Sequence, residues 1–398
     1  VTGATRAAGP GGDGSPAARD LETDEAAWEA FLAASGSPSH LQSSGWAATK
    51  RGNGWTAFRV AAAAAAPDGG TRLVGGQVLI QRPRPVPWGM GYLGRGPVTA
   101  DGTLDRAAIT AITGRLRQAG KQHRLGYVRM EPEIEAGDGR VERELIRAGW
   151  KRAPHVQPER SLIIDLAQEE ATILAGMHRK TRQSITKSER LGVRIVDADG
   201  GRLPAFYAIH ADAMRRAGIA ARAERTFTEL WAILAPRGQA RLLFAEATDT
   251  AEPIAALLLV SCGRRVVDLY GGTTEEGGKR RANYLLKWEA LKRSKAAGFT
   301  EYDLWGLPRA GIEQFKSGFG GREVDYIGAW DLVISTPGKA VLDLGAASRH
   351  RYRRWRYRDV HNPDDPHGRG AAATTVAGDV PAAGSTSPTS PTGPADAV

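Results

Sequence analysis

The chain reads as an α/β protein of the α+β kind, made of two tandem units whose sheets are mixed but largely antiparallel. Three observations carry this reading. Two separated segments repeat one order of elements, a strand meander, a helix and a strand. Apolar residues make up 41% of the 398, enough to bury sizeable cores. Small and polar composition is confined to the two ends.

In the first unit, GWTAFRVAAAA (54–64) and RLVGGQVLIQRP (72–83) flank the turn signal PDGG and are expected to be paired strands. A helical stretch near 105–120 and the strand LGYVRMEP (125–132) follow. In the second unit, ARLLFAEA, EPIAALLLVS and RVVDLYGG form a meander with turns at TDTAEP and CGRR. A helix over 281–297 comes next, stopped by Gly298 in the left-handed position after its last turn, and then the strand TEYDLWG. This order is that of an acetyltransferase-like (GNAT-like) unit occurring twice, a duplication of pattern without sequence identity between the copies. VQPERSLIIDL (156–166) carries the chain from one unit to the other, and DYIGAWDLVIS (325–335) is expected to fold back onto the first.

The expected organisation is a disordered leader at 1–23, a first domain of 24–158 plus 324–348, a second domain of 159–323, and an arginine-rich segment with a disordered tail at 349–398. No coiled-coil arm is expected, because no apolar heptad run of three repeats occurs between 165 and 240. The leader has no secretory apolar region, and no span approaches the ~20 apolar residues of a transmembrane helix.

One cysteine, Cys262, excludes an internal disulfide framework and a cysteine metal cluster, and the cytoplasm is the expected compartment. His123, His178 and His210 show no metal-ligand spacing, so no metal is expected. The net charge of +10 and pI near 9.8 favour a polyanionic partner: nucleic acid, a phosphorylated small molecule or an anionic membrane face. RHRYRRWRYR (349–358) concentrates six arginines around Tyr352, Trp355 and Tyr357, a pattern suited to phosphates with stacking or to a lipid interface. A helix over 173–190 puts Ile173, Met177, Thr181 and Ile185 on one face, with Arg179, Lys180, Arg182, Lys187 and Arg190 on the others.

An acyl-coenzyme A enzyme of this fold would cradle pyrophosphate on a Q/R-x-x-G-x-G/A loop opening the central helix. Here the segment is GGKRRANYLL, with Arg281, Ala282 and Asn283 where glycines are needed, so coenzyme A use is disfavoured. What the chain resembles is the Fem family of peptidoglycan-branching aminoacyltransferases. LQSSGWAATKRGNGW resembles its LQ…W…K…GW signature, YLGRGPV its Y-x-x-RGPV turn, and VQPERS its QP-x-x-T lead-in, with Ser161 for Thr. MHRKTRQSITKSERLGV is similar to its K-T-R-x-x-I helix, and YDLWGLP with GIEQFKSGFGG to its terminal motif. The resemblance covers most of 40–335.

The resemblance implies roles. Lys50 and Tyr270 fall where the family contacts the precursor's phosphates, and Arg222 where it has an arginine four residues before a tyrosine. This chain has Thr226 there, followed by Phe227. Phe315 and Lys316, read as presented by a glycine-rich loop, fall where the aminoacyl end of tRNA is met; Lys316 would stabilise an oxyanion or a terminal phosphate. Arg179, Lys180 and Arg182 are candidate tRNA or phosphate contacts. Trp46 and Trp55 are expected in the core. Glu131 and Asp331 sit at strand ends, but no spacing marks either as a base.

The implied reaction is aminolysis of an aminoacyl-tRNA ester by a precursor amine, with no cofactor beyond the charged tRNA. The expected product is a peptide stem extended by glycine or alanine on a lipid-linked or nucleotide-linked muropeptide, with peripheral contact at the inner membrane face. The competing readings are an acyl-coenzyme A N-acyltransferase and a non-catalytic RNA- or membrane-binding protein.

Overall fold

The structure, a computed structural model, describes residues 15–137, 139–307 and 310–356, without the side chains of 310–312 and 347–356. Helices α1 (Pro16–Thr23) and α2 (Glu25–Ala34), a 3-10 turn (His40–Gln42) and α3 (Ser44–Arg51) come first. Ser15, Asp24 and Ser43 cap the three helices, accepting from the N–H groups of Ala18, Ala26 and Trp46. The expected leader is corrected over its last third: Ala18 and Leu21 bury against Trp28, Leu32 and Cys262. Eight residues with two buried positions are too short a periodic signal to read from sequence. Residues 1–14 lie outside the described residues.

The first sheet draws on β1 (Thr56–Ala65), β2 (Thr71–Gln81), β3 (Gly89–Gly94), β4 (Val98–Thr99), β5 (Leu125–Glu131) and β6 (Trp150–Ala153). Helix α4 (Arg106–Gln122) joins β3 to β5 by way of β4, and α5 (Arg140–Arg147) precedes β6. The second sheet draws on β7 (Arg160–Asp165), β8 (Val193–Ala198), β9 (Ala240–Ala247), β10 (Pro253–Cys262), β11 (Arg265–Thr273), β12 (Glu301–Asp303) and β13 (Arg322–Asp325). Between β7 and β9 lie α6 (Glu170–Gly176), α7 (Arg179–Arg190), α8 (Leu203–Arg216) and α9 (Glu224–Leu234); α10 (Glu275–Lys279) and α11 (Ala282–Ala296) link β11 to β12, and α12 (Ala310–Ser317) precedes β13. The chain then returns to the first sheet as β14 (Ala329–Val333) and ends in α13 (Thr336–Arg356).

Among the described residues each sheet has seven strands, ordered β1-β2-β3-β5-β14-β6 with β4 on β2, and β13-β7-β12-β11-β10-β9-β8. Every pair is antiparallel except one per sheet, β3 with β5 and β11 with β12. Those are the pairs spanned by α4 and α11, since parallel neighbours need a crossover and antiparallel ones do not. The duplication in the sequence is therefore a duplication in space. β13 keeps Val324 and Asp325 on β7, two residues past the point where the pattern hands the chain back to the first unit.

Ile109, Ile112 and Leu116 of α4 close the first core on Val60, Val74, Val128 and Trp330. Leu285, Leu286 and Leu291 of α11 close the second on Leu257, Leu259 and Tyr302. A third cluster lies between them, bringing Leu41, Trp46, Trp55, Leu79 and Tyr92 onto Phe206, Phe227, Leu258, Tyr270 and Trp305. Burying large side chains is worth about 1.5–3 kcal/mol each, so this seam fixes the two halves together. Trp46 and Trp55 are core residues, as expected.

Two helical readings are corrected. The single helix over 173–190 is two, broken at Met177 and His178, although Ile173, Met177, Thr181 and Ile185 are all buried. Residues 349–356, expected with the tail, continue α13; residues 357–398 lie outside the described residues. The longest helix between 165 and 240 is α8, of 14 residues, with no room for a coiled-coil arm.

Candidate active site

Lys316 lies in the last turn of α12, and its Nζ donates to the carbonyls of Trp305 and Gly306, each at 2.8 Å. The glycine-rich loop of the sequence reading is corrected: Phe315 and Lys316 are helical. Trp305 and Gly306 both adopt left-handed backbone, φ 49° and 82°, a conformation that is costly for tryptophan. Asp303 holds the turn by accepting the Trp305 N–H at 2.7 Å and the Ser161 hydroxyl; Ser161 Oγ in turn accepts the Gly306 N–H at 3.2 Å. Two carbonyls are thereby aimed at one ammonium.

Burial pushes the Lys316 ammonium down to about 8; the Lys287 cation acts in the same direction, against Asp268 and Asp303. Lys287 and Asp268 form a buried ion pair, with the Tyr302 hydroxyl 3.4 Å from the same carboxylate oxygen. A register shift in β11 decides this geometry. Tyr270 opposes Leu258 while Asp268 opposes Leu259, so the intervening Leu269 is extra and the two residues face opposite sides of the sheet. Asp268 turns toward α11, and Tyr270 toward the seam.

The GFGG glycines are packing residues. A Cβ on Gly318 would lie 2.5 Å from Thr181 Oγ1, and one on Gly320, at φ 73°, 2.7 Å from the Gly176 carbonyl oxygen. The His178 N–H donates to the Gly318 carbonyl. The C-terminal end of α12 is thus pressed against the junction of α6 and α7. Phe315 packs edge-on to Tyr284 and Phe319, with ring centroids 5.0 and 5.4 Å away.

On the seam side, Lys50 is buried on α3 with its Nζ 4.2 Å from the centre of the Trp46 ring. The Arg222 guanidinium lies 5.8 Å from the Tyr270 ring, which meets Phe227 edge-on at 5.1 Å. Phe227 occupies the space beside Tyr270 in a chain that has Thr226 where its resemblance predicts tyrosine. Lys50, Arg222 and Tyr270 thus border one aromatic cluster. His40 connects it to the Lys316 turn: its ring meets Trp46 at 4.9 Å and Trp305 at 5.1 Å.

Arg179 and Lys180 are exposed in the first turn of α7, adjoining the end of α12. Arg182 differs, because its guanidinium donates to the carbonyls of Ala175 and Met177 and so caps α6. Glu131 accepts from the Val156 and Gln157 N–H groups and the Tyr92 hydroxyl, and Asp331 binds Arg129 through both oxygens. Both carboxylates are occupied by structure. Cys262 is buried, its thiol pushed up by desolvation. Sequence reading missed Ser161, Asp268, Lys287 and Asp303 as parts of the Lys316 environment; for the three strand residues, Ser161, Asp268 and Asp303, a polar residue within an apolar strand was the available signal, and Lys287 on α11 offered none. No group of three or more His, Cys, Asp or Glu among the described residues is placed to hold a metal ion.

At the start of α11, Arg281 is left-handed, φ 58°, and Ala282 is fully buried. Arg280 beside them is engaged with Asp249 and Glu276. A pyrophosphate cradle of close-approaching glycine backbone is not built there.

The family described as Acetyltransferase (GNAT) domain matches residues 175–317. The lipid II:glycine glycyltransferase of Staphylococcus haemolyticus is 25% identical over 223 residues, covering 54% of this chain and 52% of that protein, so the match spans about half of that relative. Proteins of the same name align more fully: 19% identity for Staphylococcus saprophyticus, covering 81% of this chain and 94% of that one, and 23% for Staphylococcus aureus, covering 78% and 91%. The crystal structure of FemX superposes with a TM-score of 0.69 at 19% identity, over 79% of this chain and 96% of that one. Fem-family homologues therefore run along most of the chain, and its fold is the tandem acetyltransferase-like one.

Proposed function

We propose that this protein is a tRNA-dependent aminoacyltransferase that adds glycine or alanine to the peptide stem of a peptidoglycan precursor, lipid-linked by preference. The homology to lipid II:glycine glycyltransferases supports the class of reaction. The observation that supports the reading is the contact series Lys50, Trp46, His40, Trp305, Lys316, which links through one seam the two lysines that would anchor the two substrates.

Lys50, Arg222 and Tyr270 would take the precursor's phosphates, and Lys316, flanked by Phe315, the aminoacyl end of tRNA. Arg179 and Lys180, beside the positive end of α7, would meet the tRNA backbone. The ester supplies the activation, so the protein must align two large substrates and stabilise the oxyanion formed as the amine attacks the carbonyl. A lysine-type amine with a pKa of about 10.4 is neutral to only about one part in a thousand at pH 7. Lys50, Arg95 and Arg265, the three cations that act on His40, would favour the neutral amine in the seam. An ammonium at Lys316, already partly stripped of water, offers a strong charge to the oxyanion without long reorganisation.

Among the described residues no helix is long and apolar enough to cross a membrane. On the proposed reaction, a lipid-linked precursor would be met at the cytoplasmic membrane surface. Incubation with precursor and glycyl- or alanyl-tRNA, read by mass spectrometry, should give a muropeptide heavier by one residue. Failure with glycyl-, alanyl- and seryl-tRNA overturns the reading, and saturable coenzyme A binding would favour the acyl-coenzyme A alternative.

A further inference from the structure

The most anomalous polar side chain in the seam is His40. Its residue is 1% exposed, and neither Nδ1 nor Nε2 has a hydrogen-bond partner. The Trp305 Nε1, on the ring it touches, is also buried and unpartnered. Buried imidazoles and indoles normally find partners, because an unmet donor or acceptor costs its full desolvation. These three atoms lie in the contact series that runs from Lys50 to Lys316, among the aromatic rings of the seam and within reach of the cations Lys50, Arg95 and Arg265.

We propose that His40 is a substrate-orienting residue: one ring nitrogen accepts a hydrogen bond from the attacking amine, while Trp305 Nε1 donates to a carbonyl of the same peptide stem. This rests on the acyl-transfer reading above. Burial, reinforced by Lys50, Arg265 and Arg95, pushes His40 down to about 3, so the ring is neutral and has both a donor and an acceptor at pH 7. It fixes the direction of the amine lone pair and does not take the proton, which passes to the ribose oxygen of the departing tRNA as the C–N bond forms and the ester C–O bond breaks. The ring lies between Trp46 and Trp305, so the amine reaches it as these two side chains give way, with the two halves still joined.

The test is His40→Phe in the full chain, which keeps an aromatic ring between Trp46 and Trp305 and removes the unpartnered nitrogens. The expected result is a Tm equal to or above that of the parent, with kcat/KM for the precursor at least tenfold lower and KM for charged tRNA unchanged. His40→Gln should recover part of the loss. Unchanged kcat/KM would make the ring mere packing, and a fall in Tm would make it a structural hydrogen-bonder; either overturns the proposal. Ring ¹⁵N shifts of His40 on titration with a nucleotide-linked muropeptide give a readout independent of turnover. If the parent makes no amide, the acyl-transfer reading fails; absence of a His40 shift in a parent that does make amide defeats only this inference.

Discussion

Lys316 Nζ and the carbonyl oxygen of Trp305 lie 2.8 Å apart, and they meet because Trp305 holds a left-handed backbone that Asp303 and Ser161 lock from beneath. A lysine that would be solvated on an ordinary helix end is tied down and partly dehydrated. Its titration then falls near working pH.

Lys316 has an ordinary value of 10.5 and is pushed down to about 8. Between those values the unfolded chain holds the proton and the folded chain does not, so this lysine's penalty on stability is relieved as pH rises from 8 to 10.5. If the ammonium is the working form, turnover corrected for ester hydrolysis should lose a factor of about ten per pH unit above 8, superposed on the rise from amine deprotonation. Lys316→Arg should remove that falling limb, and Lys316→Met should abolish most turnover across the whole range.

Lys287 and Asp268 are a buried pair, and removing one partner leaves an uncompensated charge. Lys287→Met or Asp268→Asn alone should cost about 3–5 kcal/mol in urea denaturation, and the double replacement considerably less. Equal, additive losses would show that the pair is not coupled.

Gly320→Ala places a Cβ against the Gly176 carbonyl at a positive φ. Stability should fall by about 1–3 kcal/mol, with KM for charged tRNA rising more than KM for precursor, since α12 and α7 lose their mutual register. A wild-type thermal transition would remove the packing explanation of the glycines.

Arg179 and Lys180 are exposed, whereas Arg182 is spent on capping α6. Replacing Arg179 and Lys180 together by Gln should weaken tRNA binding and flatten its salt dependence by about one to two counterions. Arg182→Gln should instead lower Tm and leave the salt slope intact. A reversed outcome would move the tRNA contact away from the α7 N-terminus.

Much of the fold was legible because it is written in short-range pattern. The hairpin at PDGG, the meander ending at Arg265–Thr273 and the helix stopped at Gly298 each follow from apolar period and turn chemistry. Several residues of the sequence motifs are fasteners. Gln42 bonds the Gly94 carbonyl and the Gln77 N–H, Arg95 donates to the Pro158 carbonyl, and Gln157 donates to Tyr92. Their distinctiveness comes from joining segments distant in sequence at the seam, which composition does not reveal.

Residue order by itself determined the duplicated units, the crossover helices and the identity of the basic and aromatic residues. Only the tertiary structure decided which way those residues point. The extra residue at Leu269 sends Asp268 and Tyr270 to opposite faces, where strict alternation would put them on one. The approach of α12 to the Trp305 turn makes Lys316 half-buried, and the closure of two halves traps His40 between two tryptophans. Local sequence fixes backbone period; a side chain's solvation depends on what distant segments bring against it.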